Sequence, residues 1–315
     1  MIKYRNYEPG DELHIVRLWN DCLSTDPITK TRFRNLVLLD VNFDPRGMKL
    51  AFDDEDLIGC VYAVRRRLPM YQTDLESDNG WIPYFFVHPD YRRRGVGSNL
   101  FQQAFEFLAE NGRKQVFFAS YAPNYILPGI DKETYPDAYR FLKHLGFETL
   151  YSPVAMDRSL VGFSIPPEVK ELKAKRQAEG YEFYTAEDKD LYEVIEFANT
   201  KFNPDWGRAI REGILQGLPL NRILIARDQT KLVGFCMYGG YEGIPERFGP
   251  FGVDPEQQGK GLGKILLYEC LQLMRSEGLH GAWFLWTGET SSAGHLYKKT
   301  GFQVTRRFHV MKKTL

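Results

Sequence analysis

Net charge is missing from this chain: 41 lysines and arginines stand against 41 aspartates and glutamates. A protein that coats nucleic acid carries a basic excess, so that class of function is not expected. Long apolar runs are missing too. No stretch approaches the ~18 consecutive apolar residues of a membrane-spanning helix, so no membrane partner is expected. The opening MIKYRNYEPGDELHIV has early acidic residues and no apolar run of signal-peptide length. Cysteine is sparse and scattered: Cys22, Cys60, Cys236 and Cys270 form no CxxC pair. That spacing argues against a disulfide framework and a zinc site. Free thiols suit a reducing compartment, so a cytoplasmic location and no metal are expected.

What the chain does have is length and a repeat. Its 315 residues, 43% hydrophobic and 26% charged, suffice for two globular domains. FFVHPDYRRRGVGSNLFQQAFEFLAENG matches FGVDPEQQGKGLGKILLYECLQLMRSEG without a gap. Val87 meets Val253, Pro89 meets Pro255, Gly95 meets Gly261, Gly97 meets Gly263 and Gly112 meets Gly278, each pair 166 residues apart. FLKHLGF (Phe141–Phe147) meets LYKKTGF (Leu296–Phe302) at an offset of 155, so the first copy carries 11 more residues between the two matches. They fall mostly within PNYILPGIDKETYP. One period of half the chain is too long for a solenoid and reads as a duplicated domain.

Each half follows the order β α α β β β α β α β. In the second half YEFYT is a strand, and Glu187 to about Phe202 and Asp205 to about Gln216 are helices. RILIAR and KLVGFCMYG form a hairpin, and FGPFGV is a strand that its glycines and proline should bulge or splay. Leu262, Ile265, Leu266, Cys270 and Leu273 recur at helical spacing between Gly261 and about Glu277. AWFLW, a helix from Ala293 to Thr300 and a closing strand FQVTRRFHVMKK follow. The first half repeats the order from IKYRNY to FETLYSPVAM. Strands outnumber crossover helices, which predicts a mixed, mostly antiparallel sheet with helices on both faces. The expected domains are 1–159 and 181–315, joined by a charged helical linker over 160–180.

Two turns leave a strand and open a helix. One is Arg92-Arg93-Arg94-Gly95-Val96-Gly97, followed by Ser98; the other is Gln258-Gly259-Lys260-Gly261-Leu262-Gly263, followed by Lys264. A helix start presents unpaired N–H groups and a partial positive charge, so it attracts phosphate, and glycine lets the backbone approach closely. A Walker loop is excluded because Ile265 follows Lys264. The dinucleotide fingerprint is excluded because Leu100 and Leu266 stand where its third glycine belongs.

The pattern V-x-P-x-x-[QR]-x-x-G-x-G at the end of a strand resembles the acetyl-CoA motif of the GNAT N-acetyltransferases. The order of elements and the LYKKTGF box are similar to the same superfamily. The resemblance covers both halves, and the layout is similar to tandem, mycothiol synthase-like members. It implies an α/β (α+β) fold of two tandem GNAT-like domains, each with a splayed central strand, and acetyl-CoA as co-substrate. The pantetheine arm would pair with the splayed strand. The pyrophosphate would lie at Gly259, Gly261, Gly263 and Lys264, with Gln258 helping by its side chain and Lys260 and Leu262 completing the turn. Val87 and the run Arg92, Arg93, Arg94, Gly95, Val96, Gly97 and Ser98 are the corresponding positions of the first copy.

Direct acetylation of an amine needs a base, a backbone donor for the thioester carbonyl and an acid for the leaving thiolate. The resemblance gives the acid to Tyr297, four residues before Gly301. A phenol with a pKa of about 10 is a sensible partner for a thiol with a pKa of about 8.5. The matching residue of the first half is Leu142, which has no proton to give; Tyr139 is a weak substitute. The second domain is therefore expected to be catalytic, and the first degenerate, serving cofactor binding or structure. Glu246, just before FGPFGV, and Glu242, four residues earlier, are the candidate bases, with Glu289 third. The Val253 N–H is the expected carbonyl polariser. Thr290 stands where many family members have an Asn that touches the cofactor. Taken as residues alone, Tyr297 also suits a core position and the carboxylates an exposed loop.

The acceptor is the least legible part. In TKFNPDWGRA, Phe202 and Trp206 suit a pocket wall and Asp205 suits an amine partner, and simple packing suits them equally. The expected activity is acetyl transfer from acetyl-CoA to a primary amine of a small molecule by direct attack, in a monomer or homodimer. A non-catalytic acyl-CoA-binding or sensor protein and a protein N-acetyltransferase are the alternatives.

Overall fold

The computed structural model describes residues 1–122 and 124–315. Pro123, which begins the extra segment of the first repeat, lies outside the described residues. The chain divides into two compact units, residues 1–153 with 307–315, and residues 154–306.

The first unit runs β1 (Ile2–Asn6), α1 (Glu12–Cys22), α2 (Lys30–Phe33), β2 (Met48–Asp53), β3 (Asp56–Val64) and β4 (Asn79–Val87). It continues with α3 (Val96–Glu110), β5 (Gln115–Phe118), α4 (Pro136–His144) and β6 (Glu148–Tyr151). The last strand of the chain, β14 (Val310–Thr314), completes a seven-stranded sheet in the order β1-β2-β3-β4-β5-β14-β6. β3 is buried from Leu57 onward, as a central strand covered on both faces must be. α3 turns Val96, Leu100, Phe101, Ala104, Phe107 and Leu108 inward at helical spacing. β4 and β5 are parallel and pair only over Asn79–Ile82 and Gln115–Phe118, so the rest of β4 diverges from its neighbour.

The second unit begins with β7 (Val154–Ser159) and α5 (Pro167–Ala178). β8 (Tyr181–Thr185), α6 (Leu191–Lys201), α7 (Pro204–Leu215), β9 (Ile223–Asp228), β10 (Lys231–Tyr238) and β11 (Phe248–Val253) follow. α8 (Leu262–Ser276), β12 (Gly281–Thr287), α9 (Ser292–Lys299) and β13 (Gln303–Arg307) complete the series. Its strands form two ladders, β11-β10-β9-β8 and β12-β7-β13. Placed end to end they repeat the order of the first sheet, with the break at the splayed strand. A single parallel bridge, Arg247 with Trp283, spans the break, and there the Trp283 N–H donates to Glu246 O at 3.0 Å. Opposite FGPFGV the register of β10 shifts between Cys236 and Tyr238, the irregularity its glycines and proline predicted.

Three features depart from expectation. FQVTRRFHVMKK is two strands, β13 and β14, in different sheets, and FETLYSPVAM is likewise β6 and β7. Each sheet therefore takes one inner strand from the other half of the chain: β14 lies between β5 and β6, and β7 between β12 and β13. The compact units accordingly differ from the expected domains 1–159 and 181–315. The third departure is 160–180. Its helix α5 belongs to the second unit, burying Val169 and pairing Lys173 with Glu269 of α8 at 3.0 Å. The physical reason is that Val154-Ala155-Met156 and Val310-Met311 are equally apolar and equally buried. A strand pattern shows which face is buried and not which sheet receives it.

Candidate active site

At the second turn the chain needs positive φ twice, at Gly259 (+85°) and at Gly261 (+77°), the residue that precedes α8. Gly261 has no side chain with which to cap the helix, and the first intrahelical bond is Ile265 N–H to Gly261 O at 3.1 Å. The N–H groups of Leu262, Gly263 and Lys264 are thus left without intrahelical acceptors. Together with the helix dipole they fit a diphosphate. Lys264 has no ion-pair partner among the described residues. Lys260 is committed elsewhere: its Nζ donates to Tyr181 Oη at 2.6 Å and Gln257 Oε1 at 2.7 Å. The turn is braced from α5, where Arg176 Nε donates to Lys260 O at 2.7 Å and Leu172 would lie 2.8 Å from a Cβ at Gly261. Reading 160–180 as a linker missed this brace, because α5 has a mostly polar surface and a weak apolar stripe.

Beyond the turn lies the splay. The Asp254 N–H donates to Val233 O on β10 at 2.8 Å. Successive strand N–H groups face opposite edges, so the Val253 N–H is aimed away from β10 into the open edge. Phe202 covers β11 from the other side: a Cβ at Gly252 would stand 2.5 Å from its ring. Phe202 stacks on Trp206 at 4.9 Å, and both pack on Phe235. Asp205, 3% exposed, sits in the first turn of α7.

Tyr297 is 7% exposed and sits in an aromatic box. Its ring centroid lies 4.6 Å from Phe284 of β12, 5.5 Å from Phe302, and 5.9 and 6.1 Å from Phe248 and Phe251 of β11. It thus touches both strands that flank the splay. Its hydroxyl has no hydrogen-bond partner among the described residues. Burial pushes the phenol well above its ordinary value, with the nearby Cys236 and Cys270 thiols adding to the shift.

The carboxylates separate. Glu242, at positive φ, accepts from Arg247 Nη1 at 2.5 Å. Arg247 is 7% exposed and stacks on Tyr241 and Trp283. Glu289 is paired with Lys298 at 2.8 Å. The Glu246 side chain is half-buried with no ion pair or hydrogen bond among the described residues, and its carbonyl marks the closed end of the splay. Thr290 is exposed; the adjacent Ser291 caps α9, its Oγ accepting from Gly294 N–H at 3.1 Å.

Residues 219–304 match the model described as acetyltransferase (GNAT) domain, and residues 14–127 match the acetyltransferase (GNAT) family model. The chain is a tandem GNAT protein. Mycothiol acetyltransferase of Amycolatopsis mediterranei is 24% identical over 262 residues, covering 79% of this chain and 80% of that one. That of Saccharomonospora viridis is 25% identical over 239 residues, covering 70% and 71%. The glucosamine N-acetyltransferase region of a fungal multi-domain beta-N-acetylglucosaminidase superposes with a TM-score of 0.82 at 18% identity, over 99% of this chain and 38% of that one. A tandem GNAT protein from the clavulanic acid biosynthesis pathway superposes at 0.66 and 15% identity, over 100% and 98%.

The first unit of this tandem GNAT protein repeats the turn with changes. Gly95 precedes α3 at φ +81° and also offers no cap, but Arg93, at +62°, replaces the glycine at position 259. Arg92 Nε donates to Val87 O at 3.1 Å and Arg94 stacks on Tyr91, while Arg93 and Ser98 are exposed. Leu142 fills the tyrosine position and is fully buried, and Tyr139 packs against His309 at 5.4 Å.

Proposed function

We propose that the second unit transfers an acetyl group from acetyl-CoA to a primary amine by direct attack, and that the first unit is a cofactor-binding or structural partner. One observation carries the reading: the buried Tyr297 phenol touches both β11 and β12, beside the open edge that receives the Val253 N–H. Acetyl-CoA, when bound, supplies an activated acyl thioester and a diphosphate anchor. The N–H groups of Gly261, Leu262, Gly263 and Lys264, with the side chains of Gln258 and Lys264, would hold the diphosphate. Val253 N–H donates to a carbonyl oxygen placed in the splay, where a preorganised donor stabilises developing negative charge. Tyr297, kept protonated by its surroundings, offers its O–H to a developing thiolate. In a poorly solvated box that donation counts for more than in water. Glu246, with its carboxylate uncommitted, takes the proton of the acceptor ammonium directly or through water.

The similar mycothiol acetyltransferases favour a small-molecule acceptor over a protein one. The test is an amine library with acetyl-CoA, following thiol release and product mass. Turnover of small amines is expected. Cofactor binding without turnover would leave a sensor, and acetylation of peptide N-termini alone would make the protein a protein acetyltransferase.

A further inference from the structure

The strand exchange carries a carboxylate from the first repeat into the second unit. Asp157 of β7 stands directly opposite Trp283 of β12. The Trp283 N–H is the one that bonds Glu246 at the closed end of the splay. Asp157 therefore lies one strand spacing, about 5 Å, from the strand that borders the splay. It is exposed, and its side chain has no ion pair or hydrogen bond among the described residues. With Ser159, Gly281, Trp283 and Gln303 it lines an open surface pocket of about 620 Å³. Arg158 lines the same cavity, but adjacent strand residues face opposite ways. Its guanidinium stacks on Phe163 at 4.6 Å. Arg247, the cation on the Trp283 ring, is paired with Glu242. Asp157 thus keeps a carboxylate without a cationic partner among the described residues.

The other unit supplies the contrast. Met311-Lys312-Lys313 is the counterpart of Met156-Asp157-Arg158. Lys312 stands opposite Phe117, the counterpart of Trp283, with its Nζ 5.6 Å from that ring. Had the second half closed its own sheet, a lysine would occupy the place of Asp157.

We propose that Asp157 is a specificity residue that holds a second cationic group of the acceptor. The favoured acceptors are then amines with more than one ammonium, such as diamines, polyamines and amino sugars with two amino groups. This rests on the reading of the second unit as an acetyltransferase. The reacting nitrogen gives its proton to Glu246 in order to attack, so it does not stay charged through the reaction. A second ammonium keeps its charge throughout and gains from the pairing.

The probes are 1,5-diaminopentane and 1-aminopentane, which differ in the second ammonium. Wild-type protein should show a KM lower for the diamine by about three- to tenfold at low salt, the gap closing as salt rises. Asp157→Asn should raise the diamine KM to that of the monoamine with both kcat values kept. Asp157→Lys should raise it further, and Lys312→Asp should change neither. Calorimetric binding of both amines is measured alongside. An Asp157→Asn variant that shifts both amines equally, shifts neither, or loses kcat for both overturns the proposal. If wild-type protein releases no thiol with any amine, the transferase reading fails. Calorimetry then still decides the charge preference: diamine selectivity lost in Asp157→Asn sustains the subsite, and equal binding of the two amines removes it.

Discussion

The Tyr297 ring meets the Phe284 ring at 4.6 Å with the planes tilted by 46°, which holds the phenol at the inner border of the splay. The contact fixes a ring and leaves its hydroxyl without a partner among the described residues. Tyr297→Phe keeps the packing and removes the proton. It should lower kcat by about ten- to a thousandfold with CoA affinity little changed. Because burial raises this phenol well above its ordinary value, it should cause no alkaline fall in rate up to about pH 10. An unchanged kcat would remove Tyr297 from the mechanism.

Glu246 and Glu242 should separate by readout. Glu246→Gln should lower kcat by about a hundredfold and leave the melting temperature in place. Glu242→Gln strips the buried Arg247 of a carboxylate and should destabilise the fold by about 3 kcal/mol. Steady-state kinetics and thermal melts on both variants decide, and the reverse pattern makes Glu242 the base.

Glutamate at the first turn of a helix suits its dipole but repels a diphosphate there. A Cβ at Gly263 would stand 3.4 Å from Phe251, and one at Gly97 3.3 Å from Phe141, so either site takes a side chain with a small adjustment. Gly263→Glu should abolish transfer, and Gly97→Glu should leave measurable turnover, both proteins being folded by circular dichroism. A folded but dead Gly97→Glu beside an active Gly263→Glu would invert the roles of the two units.

The exchange predicts which fragments fold. Residues 154–306 hold every strand of the second unit, β7 included, except Arg307, the last residue of β13, and should give a cooperative melt. Residues 181–315 lack β7 with its buried Met156 and end in β14, whose neighbours β5 and β6 are absent. That fragment should be poorly folded by circular dichroism and amide dispersion. A cooperative 181–315 beside an unfolded 154–306 would contradict the exchanged pairing.

His309 gives the first unit acid sensitivity. It is buried, its Nδ1 lies 3.0 Å from Ser152 Oγ, and its Nε2 has no partner among the described residues. Burial, then Lys132 and Arg307, lower its pKa. The unfolded chain takes up this proton near about pH 6.5 while the folded one resists it. The stability is therefore full above that pH and is lost as pH falls toward the folded value. Melting temperature should drop between about pH 7 and 5, and His309→Gln should flatten the drop. Parallel curves for the two proteins would show that His309 contributes nothing to it.

The duplication, the two turns and the helices they open were all legible in the residues. They depend on local causes: the sign of φ at Gly95 and Gly261, apolar spacing along α3 and α8, and N–H groups left over wherever a helix begins. Tyr297 was singled out through the resemblance, which counts four residues back from Gly301. Neighbours could not be read. Nothing near Lys260 announces that Tyr181 and Gln257 occupy it, and nothing near Glu242 announces Arg247 as its partner in preference to Glu246. Tertiary packing alone decided that Val154–Ser159 and Val310–Thr314 close each other's sheets. Two strands with the same apolar alternation fit the same pair of edges, and a local pattern carries no information about which edge the chain reaches. The charge of the residue facing Trp283, Asp157 instead of Lys312, was settled by that choice of partner.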